Sequence, residues 1–186
     1  LVGVNELLNR VKASDVGLEE NFGAGNDCPI AQRVCSTPAF TMDIFVIPKS
    51  MSLPLHDHPG MTVCTKMLYG SAHFVAYDWE NPSSTQYPRT ATLSMDKVLT
   101  KEDDVKVLYP QENNIHSIKG NTTCAFLDIL IPPYQTPQRT CTYYKPEGED
   151  DYHKLEFSKI AKTLKLVEYD PIDFYCDGDE YRGPSP

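Results

Sequence analysis

Pro54-Leu55-His56-Asp57-His58-Pro59-Gly60-Met61 decides how this chain is read. On a β-strand, residues i and i+2 point the same way. His56 and His58 therefore offer two imidazoles on one face, with Asp57 turned away. His116, in Asn113-Asn114-Ile115-His116-Ser117-Ile118, falls on a later strand and can close a three-nitrogen site. Three neutral imidazoles suit a divalent transition metal and leave coordination positions free for other ligands. The competing reading is two unrelated surface histidines and one core histidine, because His-x-His pairs recur by chance.

Outward from this stretch the texture is β. Strands are expected over 40–47, 53–58, 61–68 and 72–77, with Pro59-Gly60 and Tyr69-Gly70-Ser71 as turns. Further strands are expected over 89–93, 105–109, 115–118 and 124–131. Pro132-Pro133 closes the last of these, since proline cannot donate to a ladder. Residues 141–144 and 164–169 read as late strands, 147–151 as a solvated acidic loop, and the aromatic tail around Phe174-Tyr175 as packed down. Ahead of all this, Val4, Leu7, Leu8 and Val11 fall at helical spacing, and residues 23–27 break the pattern. Many short strands with regular turns indicate a barrel or sandwich. The expectation is one all-β domain spanning 1–186, with 1–25 as an N-terminal helical extension.

The 186 residues suffice for a substantial core. Apolar residues are 40% and charged residues 23%, as in ordinary globular domains. A net charge of −9 argues against a nucleic-acid or anionic-membrane partner. No apolar run approaches the roughly 20 residues of a membrane span. The six cysteines form no Cys-x-x-Cys pair, so free thiols in a reducing cytoplasm are expected. The nucleus is the second compartment expected, and the chain is expected to be a monomer. The sequon Asn121-Thr122-Thr123 is read as chance. The chain begins at Leu1 without methionine, so a trimmed leader or a shortened chain stays open.

His-x-His on one barrel strand and a third His downstream is similar to the cupin double-stranded β-helix, a jelly-roll barrel. The usual first cupin motif adds a Glu and then a Gly. Gly70 is in place, but the Glu position falls near Thr62 or Val63, so the carboxylate ligand is missing; Pro110 precedes His116 without the usual Gly. Three neutral ligands leave the full charge of Fe(II) on the metal, where a thiolate is well accommodated. Zinc hydrolases also use three histidines.

Residues 54–61 with Leu68-Tyr69-Gly70 resemble the signature of the cysteamine (2-aminoethanethiol) dioxygenase and plant cysteine oxidase family. So do 126–134 (Phe-Leu-Asp-Ile-Leu-Ile-Pro-Pro-Tyr), Cys141-Thr142-Tyr143-Tyr144, and the tail with Asp173-Phe174 and Tyr181-Arg182-Gly183-Pro184. The first motif looks plant-like and the tail animal-like. The resemblance implies an Fe(II)-dependent thiol dioxygenase that adds both atoms of O2 to a thiol and yields a sulfinic acid. The implied substrates are cysteamine and proteins with an N-terminal cysteine, the latter feeding oxygen sensing through the N-degron pathway. His56, His58 and His116 would be the iron ligands. A non-catalytic or zinc-loaded metal-binding cupin is the alternative.

Asp128 sits in an apolar strand, where a carboxylate is costly unless partnered. Whether it shares a face with His116 depends on the turn at Gly120. The resemblance places Asp128 in the pocket, holding the substrate amine or managing a proton, and Tyr134 there as a hydrogen-bonding phenol. It also implies a thioether between Cys141 and Tyr143, against the plainer reading of two packed side chains. Arg139 and Arg89 are candidate carboxylate contacts or plain surface residues. His73 and His153 read as ordinary, and Lys66 as a snorkelling strand residue.

Overall fold

A computed structural model describes residues 2–150 and 155–185. It opens with α1 (Val2–Leu8) and one 3-10 turn (Ala13–Val16). Twelve strands follow among the described residues: β1 (Ile30–Ser36), β2 (Thr41–Ile47), β3 (Ser52–His56), β4 (Thr62–Tyr69), β5 (Ser71–Trp79), β6 (Arg89–Thr100), β7 (Lys106–Leu108), β8 (Ile115–Gly120), β9 (Cys124–Ile131), β10 (Tyr143–Pro146), β11 (Thr163–Tyr169) and β12 (Asp177–Asp179). One sheet runs β12-β1-β2-β9-β4-β7. The pairings of the other, β10-β11-β6-β5-β8-β3, close into a barrel. This is the all-β architecture with a closed barrel and a short helical start that the sequence leads one to expect.

Strand β9 shows how the layers form. It is buried almost throughout, as a strand covered on both faces must be. Phe126 points between the sheets, with ring centroids 5.5 Å from Phe45 of β2 and 5.9 Å from Phe74 of β5. Leu127 and Ile129 point the other way, into a cluster with Leu8, Val16 and Leu18. The N-terminal segment thus covers the outer face of the first sheet, and burying Leu8 and Leu18 contributes roughly 1.5–3 kcal/mol each. Gly70 turns β4 into β5 at φ 71°; a side chain there would collide with the Thr123 carbonyl oxygen.

Several expectations need correction. β6 continues to Thr100 instead of ending near 93, because pairing with β5 carries its polar residues Asp96 and Lys97 past a bulge at Ser94. β1 and β12, unexpected from sequence, pair in parallel at Ile30↔Asp177. The expected strand 53–58 stops at His56, and 141–144 starts at Tyr143. Lys66 does not snorkel: it is 5% exposed, and its Nζ donates to the carbonyls of Lys101 (2.8 Å) and Asp103 (2.6 Å). Residues 147–150 are exposed, as expected of a solvated loop. No helix among the described residues is long and apolar enough to cross a membrane. All six cysteines are free.

Candidate metal centre

His56 ends β3 and is the Cα partner of His116 on β8. His58 follows just beyond the strand. The ring centroids lie 4.4 Å (His56–His116), 5.1 Å (His58–His116) and 5.2 Å (His56–His58) apart. One nitrogen from each ring falls within 4.8 Å of the others, and no carboxylate joins the group among the described residues.

Each Nδ1 is already engaged. His56 Nδ1 is 2.8 Å from the Pro54 carbonyl, and His116 Nδ1 is 3.1 Å from the Asn114 carbonyl. His58 Nδ1 is 2.7 Å from the Tyr134 hydroxyl, which donates to the Asp57 carbonyl at 2.7 Å. With Nδ1–H donating outward, each Nε2 presents a lone pair inward. His58 Nε2 is buried with no hydrogen-bond partner. An orphaned acceptor of this kind is costly unless something occupies the space before it. Burial holds all three rings neutral: it pulls His56 below its ordinary value, takes His116 down to about 3 with His56 adding to the effect, and sets His58 well below the usual range, the two other imidazoles adding there. Neutral imidazole is the ligating form, so the residues fit a divalent transition metal.

The histidine run is braced from behind. Asn114 accepts the His58 backbone N–H at 2.8 Å and donates Nδ2 to the His58 carbonyl at 3.0 Å. Asp57 does turn away, and it has a task there. Its carboxylate accepts the Thr142 N–H (2.9 Å) and the Tyr144 hydroxyl (2.9 Å), tying the segment to β10. Sequence reasoning missed Asn114, whose partner His58 lies 56 residues away.

The three histidines open into a cavity of about 520 Å3 shared by both sheets. The opposite wall carries a row the sequence did not disclose. Arg33 (β1), Asp43 (β2), Asp128 (β9) and Thr65 (β4) are successive Cα partners across four strands. Arg33 Nε donates to Asp43, and the Thr65 hydroxyl donates to Asp128 at 2.5 Å. Burial pushes Asp128 up to about 7, with Asp43 adding to the rise against the Thr65 hydrogen bond. Asp128 lines the cavity, but not by either turn considered: β8 and β9 lie in different sheets, so it faces the histidines across the gap.

Tyr134, Cys141 and Tyr143 also line the cavity. Burial pushes the Cys141 thiol up to about 11, so it is a thiol at neutral pH. Phe174 of the tail reaches the same space. Arg139 and Arg89 line no part of it. Arg139 Nε donates to the Pro133 carbonyl at 2.7 Å, and Arg89 lies 3.8 Å over the Trp79 ring. Of these arginines and Arg33, it is Arg33 that lines the cavity. His73 pairs with Asp96 at 2.6 Å away from the cavity, and His153 lies outside the described residues.

A family model described as PCO_ADO matches residues 7–185. The chain belongs to that family. Its PCO_ADO relatives include a protein named "Probable 2-aminoethanethiol dioxygenase" in Dictyostelium discoideum, 39% identical over 75% of this chain and 61% of that protein. Plant cysteine oxidase 1 of Arabidopsis thaliana is 37% identical over 97% of this chain and 70% of that one. 2-Aminoethanethiol dioxygenase of Homo sapiens is 26% identical over 97% and 79%. The chain thus spans less than two thirds of the Dictyostelium protein's length. A solved cupin superfamily protein from Desulfitobacterium hafniense is similar over 60% of this chain and 84% of that one, at 14% identity and a TM-score of 0.45.

Proposed function

We propose that this PCO_ADO chain is an Fe(II)-dependent thiol dioxygenase converting a thiol and O2 to a sulfinic acid, with both oxygen atoms ending on sulfur. The observation that carries the reading is the all-imidazole donor set: three neutral rings, Nε2 inward, no carboxylate among them. Such a set keeps the full charge of a divalent ion available to an anionic sulfur. When bound, ferrous ion supplies the redox chemistry and the meeting point for sulfur and dioxygen. His56, His58 and His116 are its ligands in this reading.

The remaining residues orient and partition charge. Tyr134 fixes the His58 tautomer by accepting its Nδ1–H. Asp128, on the far wall, takes the substrate amine, and its carboxyl is poised near neutral pH to hold or release a proton. In this reading Cys141 and Tyr143, which both line the cavity, form a thioether: the thiol S–H and a ring C–H are lost, the S–C bond forms, and O2 is reduced to H2O2. The substrate class is an aminothiol, either cysteamine or the N-terminal cysteine of a peptide. A cavity of about 520 Å3 is of the size that takes drug-sized ligands, well beyond cysteamine, and supports the peptide. Because O2 is consumed, turnover follows oxygen supply, and oxygen sensing through the N-degron pathway is the role we attach to it in the cytoplasm or nucleus.

The test is anaerobic loading with Fe(II), addition of a peptide beginning with Cys, and exposure to 18O2. Gain of two labelled oxygen atoms at that cysteine is expected. Metal binding without oxygen transfer would instead favour a binding module, and activity with zinc alone a hydrolase.

A further inference from the structure

The row facing the histidines holds two carboxyls side by side. Asp43 and Asp128 are direct cross-strand partners, and like charges so placed repel. They are the carboxylates that line the cavity. One is relieved by a hydroxyl, Thr65, and the other by Arg33. The two relieving groups differ in kind. Thr65 is 3% exposed and fixed within its strand. The Arg33 side chain is 58% exposed, whereas that of Asp43 is 10% exposed. A half-solvated guanidinium leaves an ion pair at little cost, while a buried carboxylate left alone is penalised heavily. Asp43 is therefore a buried carboxyl whose present partner is replaceable. On the opposite wall of the same cavity, His58 Nε2 is buried and unpartnered. The cavity thus has a sulfur end and a cation end.

We propose that Asp43 and Asp128 together receive the substrate's ammonium group, and that Arg33 occupies Asp43 until the amine displaces it. This rests on the aminothiol reading above and adds a specificity-determining residue, Asp43, and a resident counter-ion, Arg33. It also commits the amine to the protein wall and not to the metal. Burial pushes the Asp43 carboxyl up even with Arg33 beside it, in keeping with a site short of positive charge.

The experiment compares two peptides identical except at the first residue, one with N-terminal Cys and one with 3-mercaptopropionyl, which lacks only the amine. Oxidation is measured on Fe(II)-loaded wild type, Asp43→Asn and Arg33→Gln. In parallel, an N-terminal Ser peptide and its N-acetyl form are titrated anaerobically into the same proteins by calorimetry. Wild type should favour the amine-bearing peptide. Asp43→Asn should shrink that preference about tenfold or more, mainly through KM, as expected for losing a charged hydrogen bond. Arg33→Gln should move it the other way, lowering KM for the Cys peptide relative to the amine-free one. Ser-peptide binding should need the free amine and weaken in Asp43→Asn. An unchanged preference in Asp43→Asn, or both variants impairing both peptides alike, would overturn the proposal. If Asp43→Asn does not fold, Arg33→Gln decides alone: a preference that fails to rise overturns it. Wild type that oxidises neither thiol yet binds the Ser peptide through its amine would sink the dioxygenase reading and leave the ammonium site standing.

Discussion

The two walls of the cavity are built differently. On the imidazole wall two of the three rings are oriented locally: His56 and His116 are each held by a carbonyl two residues upstream, Pro54 and Asn114. The facing wall takes Arg33, Asp43 and Asp128 from three strands, backed by Thr65 from a fourth, and depends on their register. The lesson is separability. Changes on the histidine side should act on the metal, and changes in the carboxylate row on which substrate is held, with little crossover.

The most severe way to break this division is His116→Ala, which should abolish stoichiometric Fe(II) uptake in an anaerobic titration, and thiol oxidation with it. Full retention of iron would refute the ligand assignment. Asp128→Asn tests the other wall. Iron stoichiometry should be untouched while kcat/KM for an amine-bearing thiol falls about 10- to 100-fold; steady-state oxygen uptake and a parallel iron assay decide it. Asn114→Ala returns to the first wall and should weaken iron affinity about tenfold, as supporting groups behind ligands do, without altering the preference for an amine. A competition titration against a chelator measures the first, paired thiols the second.

The smallest effect is a pH dependence. Asp128 is about 7 in the folded protein, above its unfolded value of about 4. The folded state therefore favours the protonated carboxyl. That contribution to stability is complete below about pH 4 and is lost as pH rises through about 7. The Tm of metal-free wild type should fall relative to that of Asp128→Asn across this window, followed by thermal melts of both proteins. Parallel curves would show that the carboxyl is not held as described.

What the sequence disclosed follows the same division. His56, His58 and His116 were legible because alternation along a strand is a local rule. β9 was legible because a largely apolar run closed by Pro132-Pro133 has few other readings, and Asp128 stood out as the polar residue within it. Asp43 did not stand out, since Thr-Met-Asp-Ile-Phe reads as a half-exposed strand. Arg33 lies in a strand whose Gln32 and Arg33 hide its β character, and β12 (Asp-Gly-Asp) forms only because β1 pairs with it. Asn114 drew no notice in the sequence and is a clamp. Each miss is a residue whose role is set by a partner far away in the chain.

The account stands most directly on where the metal sits. Anomalous diffraction at the iron edge from Fe(II)-loaded crystals grown without oxygen should place one ion among the Nε2 atoms of His56, His58 and His116, with the carboxylates of Asp43 and Asp128 turned to the far wall. An ion elsewhere, or one bound directly by an aspartate or glutamate oxygen, would contradict it.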